Sequence, residues 1–167
     1  MKPMDIAIIG MAGRFPGIEN AEELMDVFSG GKDCVAPVDT DRLLKTNVPT
    51  DKEYIEMAIL KDIDLFDYKY FNYPKAEANK MAPQHRLALE VVHHAIDNSA
   101  YPLAHFDGSK TSVYCGNSRI RYDEHWEGEL DPTGIMGASQ PFLSGRISRI
   151  FNLRGNSAMI DTTCSSS

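Results

Sequence analysis

Cys164 is the residue best placed in this chain to do covalent chemistry. It stands in Thr162-Thr-Cys-Ser-Ser-Ser167, directly after the short apolar run Ala158-Met-Ile-Asp161. This is a place where a strand hands over to a helix. A helix start presents N–H groups without intrahelical partners and a partial positive charge, which favours thiolate over thiol. The same backbone can aim an N–H at the oxyanion formed when a thioester carbonyl is attacked. Thr163 and Ser165 on either side are small enough to let a substrate approach. A small buried cysteine at a turn fits the spacing equally well, and spacing alone does not choose.

The other chemistry-bearing residues read more plainly. Cys34 lies in a loop-like stretch and Cys115 in the apolar run Val113-Tyr-Cys115, so both are expected to be structural. Three irregularly spaced cysteines make no disulfide framework, and a reducing cytoplasm is the expected setting. His93 and His94 are adjacent, so on a helix they diverge and cannot form a two-ligand metal site. Gly10, Gly13 and Gly17 follow a strand-like run and precede a helix, as a dinucleotide-binding turn would. Their spacing is G-x-x-G-x-x-x-G rather than G-x-G-x-x-G, and Arg14-Phe-Pro16 interrupts it, so no nucleotide site is expected. A net charge of −7 argues against a nucleic-acid partner, which needs clustered Lys and Arg. Arg119 and Arg121, the densest basic group, stand beside Asp123, Glu124 and Glu127 and read as a solvated face. No apolar run approaches a membrane span, and the opening Met-Lys-Pro-Met lacks the apolar stretch and small-residue cleavage site of a signal peptide, so none is expected.

The elements that must position Cys164 follow from periodicity. Asp5-Ile-Ala-Ile-Ile-Gly10 reads as a strand buried on both faces. A helix capped by Asn20 runs to Gly30-Gly31, with Ala21, Leu24, Met25 and Phe28 on its inner face. Residues 32–73 read as irregular, with the aromatic stretch Ile63–Phe71 a packed loop. A short helix opens at Pro74 and runs through Met81. A longer one spans Pro83 to about Asn98, turning Leu87, Val91, Val92, Ala95 and Ile96 inward. Thr111–Cys115 reads as a buried strand, and Phe142–Phe151 as a helix with Leu143, Ile147, Ile150 and Phe151 on one stripe. Gly155-Asn156 turns the chain into a last strand, Ala158–Asp161. Strands alternating with helices predict βαβ units and an α/β fold around a mixed, largely parallel sheet. With 43% hydrophobic and 25% charged residues over 167 positions, one domain's worth of core is expected.

Five motifs then carry a resemblance to the β-ketoacyl synthases of modular polyketide synthases, members of the thiolase superfamily. Ile160-Asp-Thr-Thr-Cys-Ser-Ser-Ser167 is similar to that family's nucleophile motif VDTACSSS, and Ile6-Ala-Ile-Ile-Gly-Met-Ala-Gly-Arg-Phe-Pro-Gly17 to its opening IAIVGMACRFPG. Phe71-Asn-Tyr-Pro-Lys-Ala-Glu-Ala78 resembles FFGISPREA, Met81-Ala-Pro-Gln-His-Arg-Leu-Ala-Leu-Glu90 resembles MDPQQRLLLE, and Ser144-Gly-Arg-Ile-Ser148 resembles AGRISY. They occur in the family's order and span nearly the whole chain.

The resemblance implies that residues 1–167 are the N-terminal part of a β-ketoacyl synthase domain, truncated or split just after the nucleophile motif. The complete fold would be thiolase-like, two α/β halves stacked in five αβαβα layers and paired as a homodimer. No cofactor is expected to be bound; substrates would arrive on the phosphopantetheine arm of an acyl carrier protein. Cys164 would accept the acyl chain as a thioester, its own N–H serving as one oxyanion donor. Decarboxylative Claisen condensation would then need two histidines, a lysine and a second oxyanion donor from the C-terminal part, on the same or a separate chain. None of His85, His93, His94, His105 or His125 stands at a catalytic position of the family. The alternative reading is a non-catalytic half that docks a partner, with Asn156–Asp161 near the dimer two-fold. Three departures stand out: Ala82 for an aspartate, whose loss as an N-cap should cost about 1 kcal/mol, His85 for a glutamine, and Arg149 for a tyrosine.

Overall fold

A computed structural model describes residues 5–18, 21–39, 42–43, 56–118, 122 and 131–166. The expectations for Asn20 as a cap, for the Arg119–Glu127 face and for His125 lie outside the described residues. The chain forms two compact units, Gly13–Ile63 and Met1–Ala12 with Asp64–Ser167. In chain order the described elements are α1 (Ala21–Gly30), α2 (Lys75–Asn79), α3 (Pro83–Asn98), α4 (Leu103–Phe106), β1 (Val113–Gly116), α5 (Pro132–Ala138), α6 (Phe142–Ile150) and β2 (Ser157–Ile160). A single 3-10 turn, Thr163–Ser165, follows β2.

In the smaller unit, α1 ends as expected, with Gly31 in the left-handed region at φ +61°. Two residues of its expected inner face are exposed, Met25 at 66% and Phe28 at 71%, while Leu24 is half-buried. The unit's other described segments are irregular, joined by bridges such as Ala36 with Met57, and supply no layer for that face. Gly17 needs its φ of +70° for the Phe15–Ile18 turn and lies close to Cys34 Sγ.

The larger unit is built around a βαβ arrangement. β1 and β2 pair in parallel, Val113 opposite Ser157 through Gly116 opposite Ile160, with α5 and α6 in the connection. Residues on one strand face alternate, so Val113, Cys115 and Met159 share a side that packs on the core. Tyr114 and Ile160 face the other way and are 60% and 39% exposed. Among the described residues this sheet is covered on one face.

The expected first strand takes a different form. Residues 5–10 make no ladder, and Ile6 is 94% and Ile8 80% exposed. An apolar run becomes a strand only when a neighbour accepts its backbone groups, and no described strand lies beside this one. The segment is held instead at its end: a Cβ on Gly10 would fall 2.3 Å from the Ala95 carbonyl oxygen, and the Met11 N–H donates to Asn98 Oδ1 at 2.9 Å. Gly10 is therefore accounted for by its approach to α3.

The boundaries of α3 and α6 match the expected ones within a residue, and α2 is shorter, with Pro74 as its N-cap rather than in its first turn. The buried stripe of α3 differs from the expected one. It runs through His85, Leu89 and Ile96, with Ala88 and Val92 beside them, while Leu87, Val91 and Ala95 are half-buried. Polar His85 and Arg86 at the helix start belong to the stripe, which hydrophobicity alone could not show. From α6, Leu143, Ile147 and Phe151 enter the same core as expected, and Phe66 stacks on Phe71 at 5.1 Å in the packed aromatic loop.

Ala82 is fully buried. Its N–H donates to Gly137 O at 2.9 Å, and a Cβ on Gly137 would lie 2.2 Å from Lys80 O. At that crossing of α5 over the start of α3, an aspartate would bring a carboxylate into a closed site. α3 thus starts without a side-chain cap, whereas α5 has one: Asp131 Oδ1 accepts from the Gly134 N–H at 2.8 Å. Its carboxyl is held below the usual range by the Lys80 ammonium and then by that N–H.

Arg146 of α6 gathers the polar side of the core. Its Nε donates to His85 Nδ1, one Nη to Tyr73 OH and the other to Met136 O, each at 3.1 Å, while Glu77 lies 3.7 Å away. Donation into Nδ1 assigns the proton of neutral His85 to Nε2, which is buried without a hydrogen-bond partner. Burial first, and the Arg146 cation second, lower the His85 pKa from 6.5 to about 4; the Ser139 backbone opposes the shift without reaching hydrogen-bond geometry.

These contacts lead to two predictions. Because folding lowers the His85 pKa, the unfolded chain binds the proton more readily. This contribution is complete above about pH 6.5 and is lost as pH falls toward about 4, by about 3 kcal/mol in all. Denaturant midpoints of the wild type and His85→Gln, compared across that window, should diverge as the wild type weakens; parallel curves would contradict the assignment. Gly137→Ala, ordinarily favourable inside a helix, should instead destabilise by about 1–3 kcal/mol because its methyl meets backbone. A raised melting temperature would show that the crossing relaxes.

Candidate functional site

The site is the segment Asp161–Ser166, carried out of the sheet at the end of β2. β1 ends beside it: the Asn117 N–H donates to Ile160 O at 3.4 Å, continuing the ladder one step past the strand. Gly116 opens room for the returning chain. A Cβ there would lie 2.8 Å from Ser166 O and 3.2 Å from Ser166 Cβ, so a side chain at this position would push the turn away.

The turn is tight. Thr163 has φ +57°, uncommon for a β-branched residue, and is followed by the 3-10 bonds Ser165 N–H to Thr162 O and Ser166 N–H to Thr163 O. Side chains hold it on every side. Asp161 Oδ1 accepts from the Thr163 N–H at 3.3 Å, and Ser166 Oγ accepts from the Thr162 N–H at 2.9 Å while donating to Thr163 O at 2.8 Å. Ser165 Oγ donates to Thr162 O at 2.9 Å. The expected helix behind the thiol is, among the described residues, this one 3-10 turn.

Cys164 sits at its middle, a free thiol exposed to solvent. Among the described residues no acceptor meets its N–H, whereas the N–H groups of Thr162, Thr163, Ser165 and Ser166 are all taken. The hydroxyls of Ser165 and Ser166 are committed to backbone, leaving the sulfur as the turn's unengaged nucleophilic atom. Thiol and N–H on one exposed residue can act together: one attacks a carbonyl carbon, the other receives the oxygen.

The remaining candidates lie elsewhere. Cys34 and Cys115 are free and half-buried, and burial raises the Cys115 pKa, which disfavours its thiolate. His85 is in the core. His93 hydrogen-bonds Tyr70 OH, with Asp97 2.9 Å from its Nδ1 but out of line for a hydrogen bond, and neighbouring His94 is exposed. His105 stacks on Tyr101. Arg149 is exposed and helps line a cleft of about 350 Å³ with Tyr70, His93 and Phe151, which does not include Cys164. Met159, expected at a pairing surface, packs against the core; Ile160 is the exposed apolar member of β2. Among the described residues no group of three His, Cys, Asp or Glu could hold a metal, and no helix is long and apolar enough to cross a membrane.

Sequence reasoning missed Gln140. Its carboxamide Nε2 donates to the Asn117 carbonyl at the end of β1 and lies 3.4 Å from Asp161 Oδ2. Gly116 was missed as well, though a glycine closing an apolar run is a signal of close backbone approach.

Comparison with known proteins places this geometry. The family described as β-ketoacyl synthase, N-terminal domain, matches residues 4–167. The 5-methylorsellinic acid synthase of Aspergillus terreus is 35% identical over 167 residues, 97% of this chain and 6% of that protein. The highly reducing polyketide synthase poxF of Penicillium oxalicum is 35% identical over 174 residues, 97% of this chain and 7% of that protein. Among solved structures, the ketosynthase from module 6 of the bacillaene synthase of Bacillus subtilis superposes with a TM-score of 0.79 at 32% identity, covering 96% of this chain and 27% of that one. The chain thus spans a small part of each relative, and the described α/β unit is part of a thiolase-like ketosynthase fold. By its sequence and its fold, the chain belongs to the β-ketoacyl synthase N-terminal domain family.

Proposed function

We propose that Cys164 is the acyl-accepting nucleophile of a polyketide-type β-ketoacyl synthase, loaded from the phosphopantetheine arm of an acyl carrier protein. The observation that carries this reading is an exposed thiol whose own backbone N–H has no partner among the described residues, on a turn whose other N–H groups and serine hydroxyls are engaged. In the transfer, Sγ attacks the carrier-bound thioester carbonyl and the oxygen takes negative charge against the Cys164 N–H. As the oxyanion collapses, the bond to the carrier sulfur breaks and the carrier leaves as a thiol, taking the proton that Cys164 gave up. Acyl transfer of this kind exchanges one thioester for another, so it needs no outside source of energy.

Condensation asks for more. Decarboxylation of a malonyl thioester and attack of its carbanion need groups that stabilise charge next to the acylated sulfur. His85 is buried with Arg146, His93 is engaged with Tyr70, and His105 is stacked on Tyr101. These three histidines have structural roles, and the likeness to the family supports assigning the condensing histidines, lysine and second oxyanion donor to a C-terminal ketosynthase part in a homodimeric domain. The cytoplasm suits such chemistry because three free cysteines stay reduced there.

Incubation of the protein with a short-chain acyl thioester, followed by intact-mass and peptide analysis, tests the loading step. The wild type should gain one acyl group mapped to Cys164, and Cys164→Ala should gain none while keeping its melting temperature. Acylation at Cys34 or Cys115 instead, or an undiminished adduct in the variant, would sink the assignment.

A further inference from the structure

We propose that Gln140 is a positioning residue for Cys164, acting through Asp161. This rests on the reading of Cys164 as the acyl acceptor and extends it to the residue that holds its turn in shape. Gln140 lies between α5 and α6, remote in sequence from the nucleophile segment. Its Nε2 reaches two groups: the Asn117 carbonyl, just past β1, and Asp161 Oδ2 at 3.4 Å, just past β2. Asp161 turns its other oxygen, Oδ1, to the Thr163 N–H at 3.3 Å. One side chain thus ties the ends of both parallel strands to the residue that precedes Cys164.

That residue is where positioning is needed. Thr163 holds φ +57°, a conformation that is strained for a β-branched side chain and persists only when its surroundings impose it. The carboxylate on the Thr163 N–H is one restraint, and it can act only while Asp161 is itself held. A free Asp161 would rotate about χ1 and χ2 and carry its oxygen away from the N–H. Relaxation of Thr163 toward ordinary φ would turn the next peptide plane, which contains the Cys164 N–H. The effect falls on where the oxyanion donor points and leaves the chemical nature of the sulfur unaltered. Gln140 touches neither sulfur nor substrate, so its role is indirect.

Two reactions of the same thiol separate this role from a merely structural one. Acylation by a thioester passes through an oxyanion and needs the aimed N–H, whereas alkylation by iodoacetamide is a displacement at saturated carbon and does not. In the full-length protein, Gln140→Met keeps the length of the side chain and removes its hydrogen bonds; Gln140→Glu keeps the shape and sets a second carboxylate against Asp161. Single-turnover acylation of Cys164 should slow by roughly tenfold to a hundredfold in Gln140→Met, and further in Gln140→Glu. The iodoacetamide rate and its pH profile should stay within about twofold of wild type. Acylation within twofold of wild type in both variants would overturn the proposal. So would an equal fall in acylation and alkylation, which marks general loss of structure. A wild type that takes no acyl group on Cys164 would instead overturn the reading of the site on which the proposal rests.

Discussion

The structure of the larger unit depends on one buried cation. Arg146 enters the core from α6 and finds His85 of α3, the Tyr73 hydroxyl, the Met136 carbonyl of α5 and, farther off, Glu77 of α2. A guanidinium presents five donors in a fixed plane, so satisfying it sets the relative places of four segments at once. Without those acceptors a buried charge would be prohibitive. With them, it becomes a register mark that Leu89, Ile147 and Phe151 could not supply, because apolar contacts are non-directional. His85 belongs to this arrangement as a neutral acceptor, and the low pKa that burial and Arg146 impose keeps it neutral at ordinary pH.

From that crossing the order passes to the site along two strands. α6 leads through Phe151 and the Gly155 approach to Thr111 into β2, whose register on β1 runs through Gly116 opposite Ile160. The ends of both strands are then within reach of the Cys164 turn: Gly116 by its missing Cβ, Asn117 by its backbone and Gln140 by its side chain. The reactive segment itself is exposed and short. Its shape comes from restraints that arrive from elsewhere in the chain, as is usual where a functional loop rests on a rigid scaffold.

Part of the apolar surface is uncovered among the described residues. A parallel sheet is ordinarily covered on both faces, yet Tyr114 and Ile160 stand exposed on one side, and the apolar run at residues 6–9 is unpaired among the described residues. The chain spans 27% of the bacillaene ketosynthase it superposes on.

Much of this was legible in the residues themselves. Apolar periodicity located α3 and α6 because a helix repeats every 3.6 residues whatever surrounds it, and the alternation of strand and helix announced the parallel pairing of β1 with β2. The five motifs named the family, and Cys164 stood out by its neighbours. Tertiary structure decided the rest, since each remaining feature joins residues distant in sequence. Residues 5–10 needed a partner strand to become one; Ala82 took its meaning from Gly137, fifty-five positions on. His85 became a core acceptor only because Arg146 arrives beside it, and Gln140 acquired a role only where the ends of β1 and β2 meet. Periodicity records which face of an element is apolar, whereas hydrogen bonds and close approaches are set by which elements come together in space.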